Sequence, residues 1–453
     1  FSLIYWRPTL KISNTFFCFI VAGMISFVAL SIDTLLPAYT EIKNKFLISD
    51  HQLHWVITAL FFGFSLGQIL FGPVSDRIGR KNSVLLGVSI YWLGCFICLF
   101  SNSYMIFVLG RFIQGFGIGG PRVVSQAICR DLFSGNRLAS INSFIMSIFI
   151  LVPIVAPLLG QGILFFFYWK YIIVFFILFS FITTCFLLLN VEETLQEKKR
   201  ISFLAIVKHF KEVLSNLTSM IYIACLGLLL GGLLTFINIC QPLYFNYFDV
   251  GSRFPLYFAL IASMLGLSSY LNSRYVGQFS AVKLAKTFSL LLMIWTSINL
   301  IYQINNLSFN LTWFSIFIMA VSYTHLRAHE TLNALAINPF GHIAGYASSV
   351  IGALSTFIAL VVSGSASTFF DGTPIVVIFT LSVCSITSFF LLFPKYLFEK
   401  NGIEIFKIEE NDINGGSYRI YCRKYKKGSI KLNNENVLNL MKKFVSRVKK
   451  NKK

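Results

Sequence analysis

Long apolar runs separated by short polar breaks dominate this chain. Runs long enough to cross a bilayer as helices, roughly 17–25 residues each, fall at 15–39, 53–74, 83–100, 104–128, 139–166 and 171–189. A second set follows at 221–245, 255–271, 286–302, 311–337, 343–369 and 373–393. Between the sets lies the sizeable internal polar break, 192–216, with Lys198-Lys199-Arg200 at its centre. The pattern predicts an all-α polytopic membrane protein with twelve transmembrane helices in two six-helix halves and a cavity between them. Residues 1–191 form the first half, 192–217 a cytoplasmic central loop, and 218–396 the second half. The basic segment 397–453 has little helical periodicity and reads as a disordered cytoplasmic tail. The first apolar run ends without a small-residue cleavage site, so no cleavable signal peptide is expected.

Composition agrees. Of the 453 residues, 56% are hydrophobic and 12% charged, with mean hydropathy +0.72, against about 25% charged in soluble domains. The net charge of +20 would point to nucleic acid, but its placement argues otherwise. Segment 397–453 holds 15 Lys/Arg against 6 Asp/Glu. Most other basic residues fall in alternate loops (Arg77, Arg80, Lys81; Arg130, Arg137; Lys208, Lys211; Arg274, Lys283), while the opposite set holds Lys43, Lys45, Lys170 and Arg253. By the positive-inside rule both termini are cytoplasmic, which requires an even helix count. The nine cysteines are scattered and imply no disulfide framework. Cys95-x-x-Cys98 lies mid-membrane with no His partner nearby and reads as small apolar filler. No Gly-x-x-x-x-Gly-Lys-Ser/Thr loop occurs, which disfavours an ATP-driven pump. No metal or nucleophile constellation stands out. The expectation is a protein that is not an enzyme, uses no cofactor or metal, and binds no nucleic acid. Its expected partners are a small-molecule substrate, protons and the lipid bilayer, and it is expected to be a monomer.

One polar turn carries more information than the rest. Gly72-Pro73-Val74-Ser75-Asp76-Arg77-Ile78-Gly79-Arg80-Lys81 packs four charges into six positions between two apolar runs. Such charge cannot rest in hydrocarbon, so the chain surfaces here and re-enters. The spacing Gly-x-x-x-Asp-Arg-x-Gly-Arg-Lys resembles the loop between helices 2 and 3 of major facilitator superfamily transporters. A weak echo, Asn272-Ser273-Arg274-Tyr275-Val276-Gly277, occupies the matching place in the second half. Further stretches narrow the resemblance: Ser31-Ile32-Asp33-Thr34-Leu35-Leu36-Pro37 in helix 1, Arg111-Phe112-Ile113-Gln114-Gly115 through Arg130-Asp131 in helix 4, Pro153-x-x-Ala156-Pro157-x-x-Gly160-Gln161 in helix 5, and Gly341 to Gly352 in helix 11. Together they look like the Bcr/CflA drug-resistance branch, twelve-helix drug:proton antiporters, over roughly residues 15–393.

That resemblance implies roles. Asp33, the lone acid of helix 1, is costly in the membrane unless protonated, paired or facing water. Arg111 lies at comparable depth on helix 4 and begins the Arg-x-x-Gln-Gly stretch linked in the family to proton coupling. Asp33 and Arg111 are therefore the proton-coupling candidates, and a static Asp33–Arg111 bridge between helices 1 and 4 is the rival reading. Gly72, Asp76, Arg77, Gly79, Arg80 and Lys81 are expected to form a conformational latch, with Asp76 reaching the start of helix 11 near 341–347. Gly115 and Gly119 allow another backbone to approach closely. Pro153, Pro157 and Gly160 are similar to the helix 5 antiporter signature, although Ala156 and Gln161 replace its glycines. Gln114, Arg122 and Gln241 are substrate-cavity candidates. For Arg122 two readings stand: attraction of an anionic substrate group, or pairing with a carboxyl or with carbonyls.

The resemblance implies a proton-coupled antiporter in the bacterial inner (plasma) membrane, exporting drugs or small amphipathic metabolites by alternating access. An uptake symporter of the same superfamily is the alternative, and a non-transporting receptor or scaffold using the basic tail is a third. One segment resists the pattern. Ser322-Tyr323-Thr324-His325-Leu326-Arg327-Ala328-His329-Glu330-Thr331 puts an Arg and a Glu into the tenth apolar run, at about 2.5–3.5 kcal/mol each on insertion scales. It reads either as a His/Glu proton relay or as sequence that is not native, since the string closely resembles translated sequencing-adapter read-through.

Overall fold

The structure, a computed structural model, describes residues 12–195, 203–275, 281–305, 309–392, 403–411 and 417–424. Helix covers each of the expected apolar runs. In the first half, α1 (Asn14–Ile25) and α2 (Phe27–Asp33) share the first run, and the short α3 (Tyr39–Phe46) and α4 (Asp50–Leu53) follow it. Then come α5 (Trp55–Ile78), α6 (Arg80–Phe100), α7 (Tyr104–Leu132), α8 (Gly135–Phe166) and α9 (Lys170–Asn190). The amphipathic α10 (Phe203–Ser215) lies in the central polar break. The second half comprises α11 (Leu217–Pro242), α12 (Phe254–Tyr275), α13 (Ala281–Ile304), α14 (Leu311–Ile337), α15 (Ala344–Ser367) and α16 (Ile375–Leu391). Among the described residues, seven helices are long and apolar enough to cross a membrane, and the bent α1–α3 segment makes an eighth. Of the remaining helices, α7 and α14 carry charged residues, and α16 is short.

The first half packs around α7, with α5 and α6 on opposite sides. Glycines make that possible. A Cβ on Gly115 would lie 1.8 Å from the Leu60 carbonyl oxygen of α5, and one on Gly117 2.4 Å from the Tyr91 nitrogen of α6. With no hydrophobic driving force between helices in lipid, such backbone proximity is what holds neighbours together. In the second half α11 packs on α15, and α14 is gripped by α12 and α13. The outer faces present Leu93, Leu109, Phe181, Leu260 and Phe379, all more than 45% exposed. These large apolar side chains suit hydrocarbon rather than water.

The halves meet along two seams, α5 with α15 and α8 with α12. Ser65 donates to the Ala353 carbonyl across the first seam at 2.9 Å. At the end beyond Asp33, Gln241 Nε2 donates to Thr40 Oγ1 at 2.9 Å, and Asn246 Nδ2 to Asp50 Oδ2 at 3.4 Å. Lys43 holds the other oxygen of Asp50 at 2.7 Å.

Within the segment expected to be disordered, β1 (Ile403–Asn411) and β2 (Ser417–Lys424) pair as an antiparallel hairpin, with a bulge between Ile405 and Lys407. Period-2 alternation in Ile403-Glu404-Ile405 and Tyr418-Arg419-Ile420 is the signal for it. The second-half echo lies partly outside the described residues, and only its part through Tyr275 is described, as the end of α12. The Ser322–Thr331 string is accommodated inside one unbroken helix, α14. The Arg327 guanidinium there lies over the rings of Phe288 (4.8 Å) and Tyr323 (5.2 Å), and the His325 and His329 rings stack at 5.8 Å.

Candidate functional site: a cavity between the halves and a charged clip at one end

Helix 1 breaks twice on its way across. Ser26 turns its hydroxyl back onto the Ala22 carbonyl at 2.6 Å, where α1 gives way to α2, a local bond that commonly bends helices. Across that break α1 and the α2–α3 segment diverge by 50°, and further on Pro37 sits in a 3₁₀ turn at Leu36–Ala38. Asp33 sits at the last residue of α2, between these breaks. It is 6% exposed and, among the described residues, its side chain makes no hydrogen bond or ion pair. Its carboxylate lines a cavity of about 410 Å³ between the halves. Gln68 of α5, Arg122, Gln126 and Arg130 of α7, and Ser349 and Thr356 of α15 also line it.

Arg111 does not bridge to Asp33. Its guanidinium is fully buried and is spent on three acceptors: Ser31 O at 2.7 Å, Val56 O at 3.2 Å and Gln114 Oε1 at 2.6 Å. Helix rise brings Arg111 to the right level but not to the carboxylate, because the carbonyl two residues earlier takes its place. Gln114, expected in the cavity, is fully buried behind it and donates to Cys95 Sγ at 3.0 Å. Gln241, also expected there, is 2% exposed and spans the halves to Thr40. Of the three cavity candidates, Arg122 alone lines the cavity. Its Nη1 is buried without a hydrogen-bond partner among the described residues, and its guanidinium carbon lies 5.8 Å from the Phe149 ring centre. Cys95 and Cys98 are both buried, the latter donating toward the Phe107 carbonyl, as packing residues do.

Gly160 of α8 turns out to belong with Asp33. A Cβ there would lie 2.0 Å from the carbonyl oxygen of Thr34, the residue after Asp33. Pro153 and Pro157 lie inside α8, two turns and one turn ahead of it. Gly119 packs against Gly67 of α5, where a Cβ would come within 2.5 Å of backbone.

The charged turn is a tightly wired clip. Gly79, at φ +103°, alone connects α5 to α6, a conformation costly for residues with a side chain. Arg80 donates from Nη1 to Asp76 Oδ1 at 2.5 Å and to Ser75 Oγ at 2.7 Å, and from Nε to Asp131 Oδ2 of α7 at 2.9 Å. The first amides of α6, those of Arg80 and Lys81, donate to the two oxygens of Glu193 at 2.9 and 3.2 Å. An acidic group there answers the orphan amides and the positive end of the helix dipole together. Lys81 Nζ binds the Leu188 carbonyl at 2.6 Å, and Thr194 Oγ1 donates to Asp131 at 3.0 Å. Arg77 is exposed. Asp76 thus pairs across the Gly79 turn with the first residue of α6, and Arg130 of α7 is the side chain beside Gly345 at the start of α15: a Cβ on Gly345 would lie 3.2 Å from its guanidinium. Gly72 faces Ser349 of α15. Sequence reading missed Glu193 and Thr194. Their signal was an acidic Glu192-Glu193-Thr194 sequence at the mouth of an otherwise basic loop.

Comparison with known proteins places these features. The sequence model of the Major Facilitator Superfamily matches residues 15–364. A bicyclomycin resistance protein homolog of Haemophilus influenzae is 27% identical over 391 residues, 83% of this chain and 95% of that protein. The multidrug resistance protein MdtL of Salmonella is 31% identical over 139 residues, 31% of this chain and 35% of that protein. Among solved structures, a D-xylose–proton symporter superposes with a TM-score of 0.65 at 14% identity, covering 83% of this chain and 97% of that one. The human organic anion transporter MFSD10 gives 0.59 at 20% identity, covering 83% and 98%.

Proposed function

The chain belongs to the Major Facilitator Superfamily of membrane transporters, and we propose that it is a proton-coupled antiporter exporting drugs or small amphipathic metabolites across a bacterial inner membrane. The carrying observation is Asp33: a nearly buried carboxylate, without an ionic partner among the described residues, in the cavity between the halves. A carboxylate so placed is a costly charge until a proton or a ligand compensates it. If the loaded carrier turns outward with Asp33 ionised and the empty carrier returns only with Asp33 protonated, each inward proton resets the carrier, and about 2.3 kcal/mol per 100 mV of potential is available to drive export. Drug resistance in the names of the relatives supports the direction of transport.

Arg111 acts through the backbone in this reading. By binding Ser31 O and Val56 O it fixes the segment that carries Asp33 against α5 and α7. With the Gly79 end cytoplasmic by the positive-inside rule, the contacts of Thr40 and Asp50 close the outer side, and the cavity is offered to the cytoplasm. Rocking of the halves about the α5–α15 and α8–α12 seams then exchanges access. Asp76, held by Arg80 in the inward state, would pass to the start of α15 in the outward one. The protein acts as a monomer in this scheme.

The test is Asp33→Asn in proteoliposomes with an imposed pH gradient. Substrate-dependent proton flux should vanish while insertion and substrate binding persist. Coupled flux at the wild-type rate would end the assignment.

A further inference from the structure

Arg122 carries a second reading of the same cavity. It sits eleven residues beyond Arg111, about 16 Å further along α7, and Arg111 Nη2 lies at the level of Ser31. Among the described residues, no ion pair joins Arg122 to Asp33. The charged groups lining the cavity among the described residues are Asp33, Arg122 and Arg130, together with the titratable His329. Two cations face one acid on this wall, and Arg130 lies at its exposed end. Among the described residues the buried Nη1 of Arg122 donates to nothing; Phe149 lies beside the guanidinium, and Leu226 and Leu230 line the same cavity. A buried guanidinium N–H without an acceptor is expensive, and such groups are normally answered by a carboxylate or another acceptor.

Resting on the reading of this cavity as the transport site, we propose that Arg122 is a specificity-determining residue. It seats an acidic or strongly accepting group of the substrate, whose apolar remainder packs on Phe149, Leu226 and Leu230. Transported compounds are then organic acids or acceptor-rich neutral molecules, and organic cations are disfavoured by Arg130 and Arg122 on the way to Asp33. A guanidinium offers a planar fork that matches a carboxylate, which an ammonium cannot reproduce.

Equilibrium binding to the purified full-length protein tests this without any gradient, using three probes with one ring system: 2-naphthoate, 2-naphthamide and 2-naphthylmethylammonium. The wild type should bind them in that order of affinity. Arg122→Gln should weaken 2-naphthoate about ten- to a hundredfold, the range for losing one charge-assisted bond, and leave the amide within about threefold. Arg122→Lys should recover part of the loss. Unchanged 2-naphthoate affinity in Arg122→Gln, tightest binding of the ammonium, or binding of none of the three would each overturn the proposal. Should Arg122→Gln not fold, the wild-type order and Arg122→Lys still decide. Carboxylate selectivity that persists while Asp33→Asn retains coupled flux would refute the antiport scheme alone.

Discussion

Replacing Gly160 with Ala adds one methyl at the junction of α8 with the broken first helix. Its position is 2.0 Å from the Thr34 carbonyl oxygen, 2.9 Å from the Thr34 carbonyl carbon and 3.3 Å from its Cα. Ordinary contact begins at 3.4 Å, so α8 and the Asp33–Thr34 segment must part by about 1.4 Å; overpacking of this kind costs about 1–3 kcal/mol. The obstacle is backbone rather than a side-chain tip, which places the cost at the upper end. Gly162 supplies the control: it lies on the same helix, where an added methyl would meet nothing within 4 Å, and its change to Ala should stay within about 0.5 kcal/mol. Both variants would be purified and compared by thermal melting and by proton-coupled flux in proteoliposomes. Gly160→Ala is expected to melt lower and to lose most of its transport, because the displaced residue adjoins Asp33. Equal melting and equal transport for Gly160→Ala and Gly162→Ala would refute the packing argument.

Glu193→Ala removes the acceptor from the Arg80 and Lys81 amides, and loss of such a cap costs about 0.5–2 kcal/mol; Glu193→Gln should recover part of this in thermal melts. Resequencing the source DNA across codons 318–335 is expected to return an apolar stretch in place of Tyr323–Thr331, as a lipid-embedded α14 favours. Recovery of the same codons would instead put His325 and His329 among the groups to be tested for proton transfer.

The linear pattern was enough to locate the helices, because hydrocarbon admits only segments whose backbone bonds are satisfied internally, and these must be apolar and of bilayer length. It also exposed the turn at Gly72–Lys81, since charges crowded between two apolar runs can only surface, and it marked Asp33 as an acid out of place. What it could not supply was partnership. Arg111 and Asp33 share a depth, yet the guanidinium binds carbonyls of Ser31 and Val56, and whether two groups at one level touch depends on helix rotation. For the same reason Gln114 turned inward to Arg111 while Arg122, on the same helix, turned to the cavity. Glu193 answers amides 113 and 112 residues away, and Gly160 makes room for a carbonyl of another helix. Those relations arise only when the helices pack, since hydrogen bonds and close contacts act over a few ångströms and say nothing along the chain about which distant segment will provide the other half.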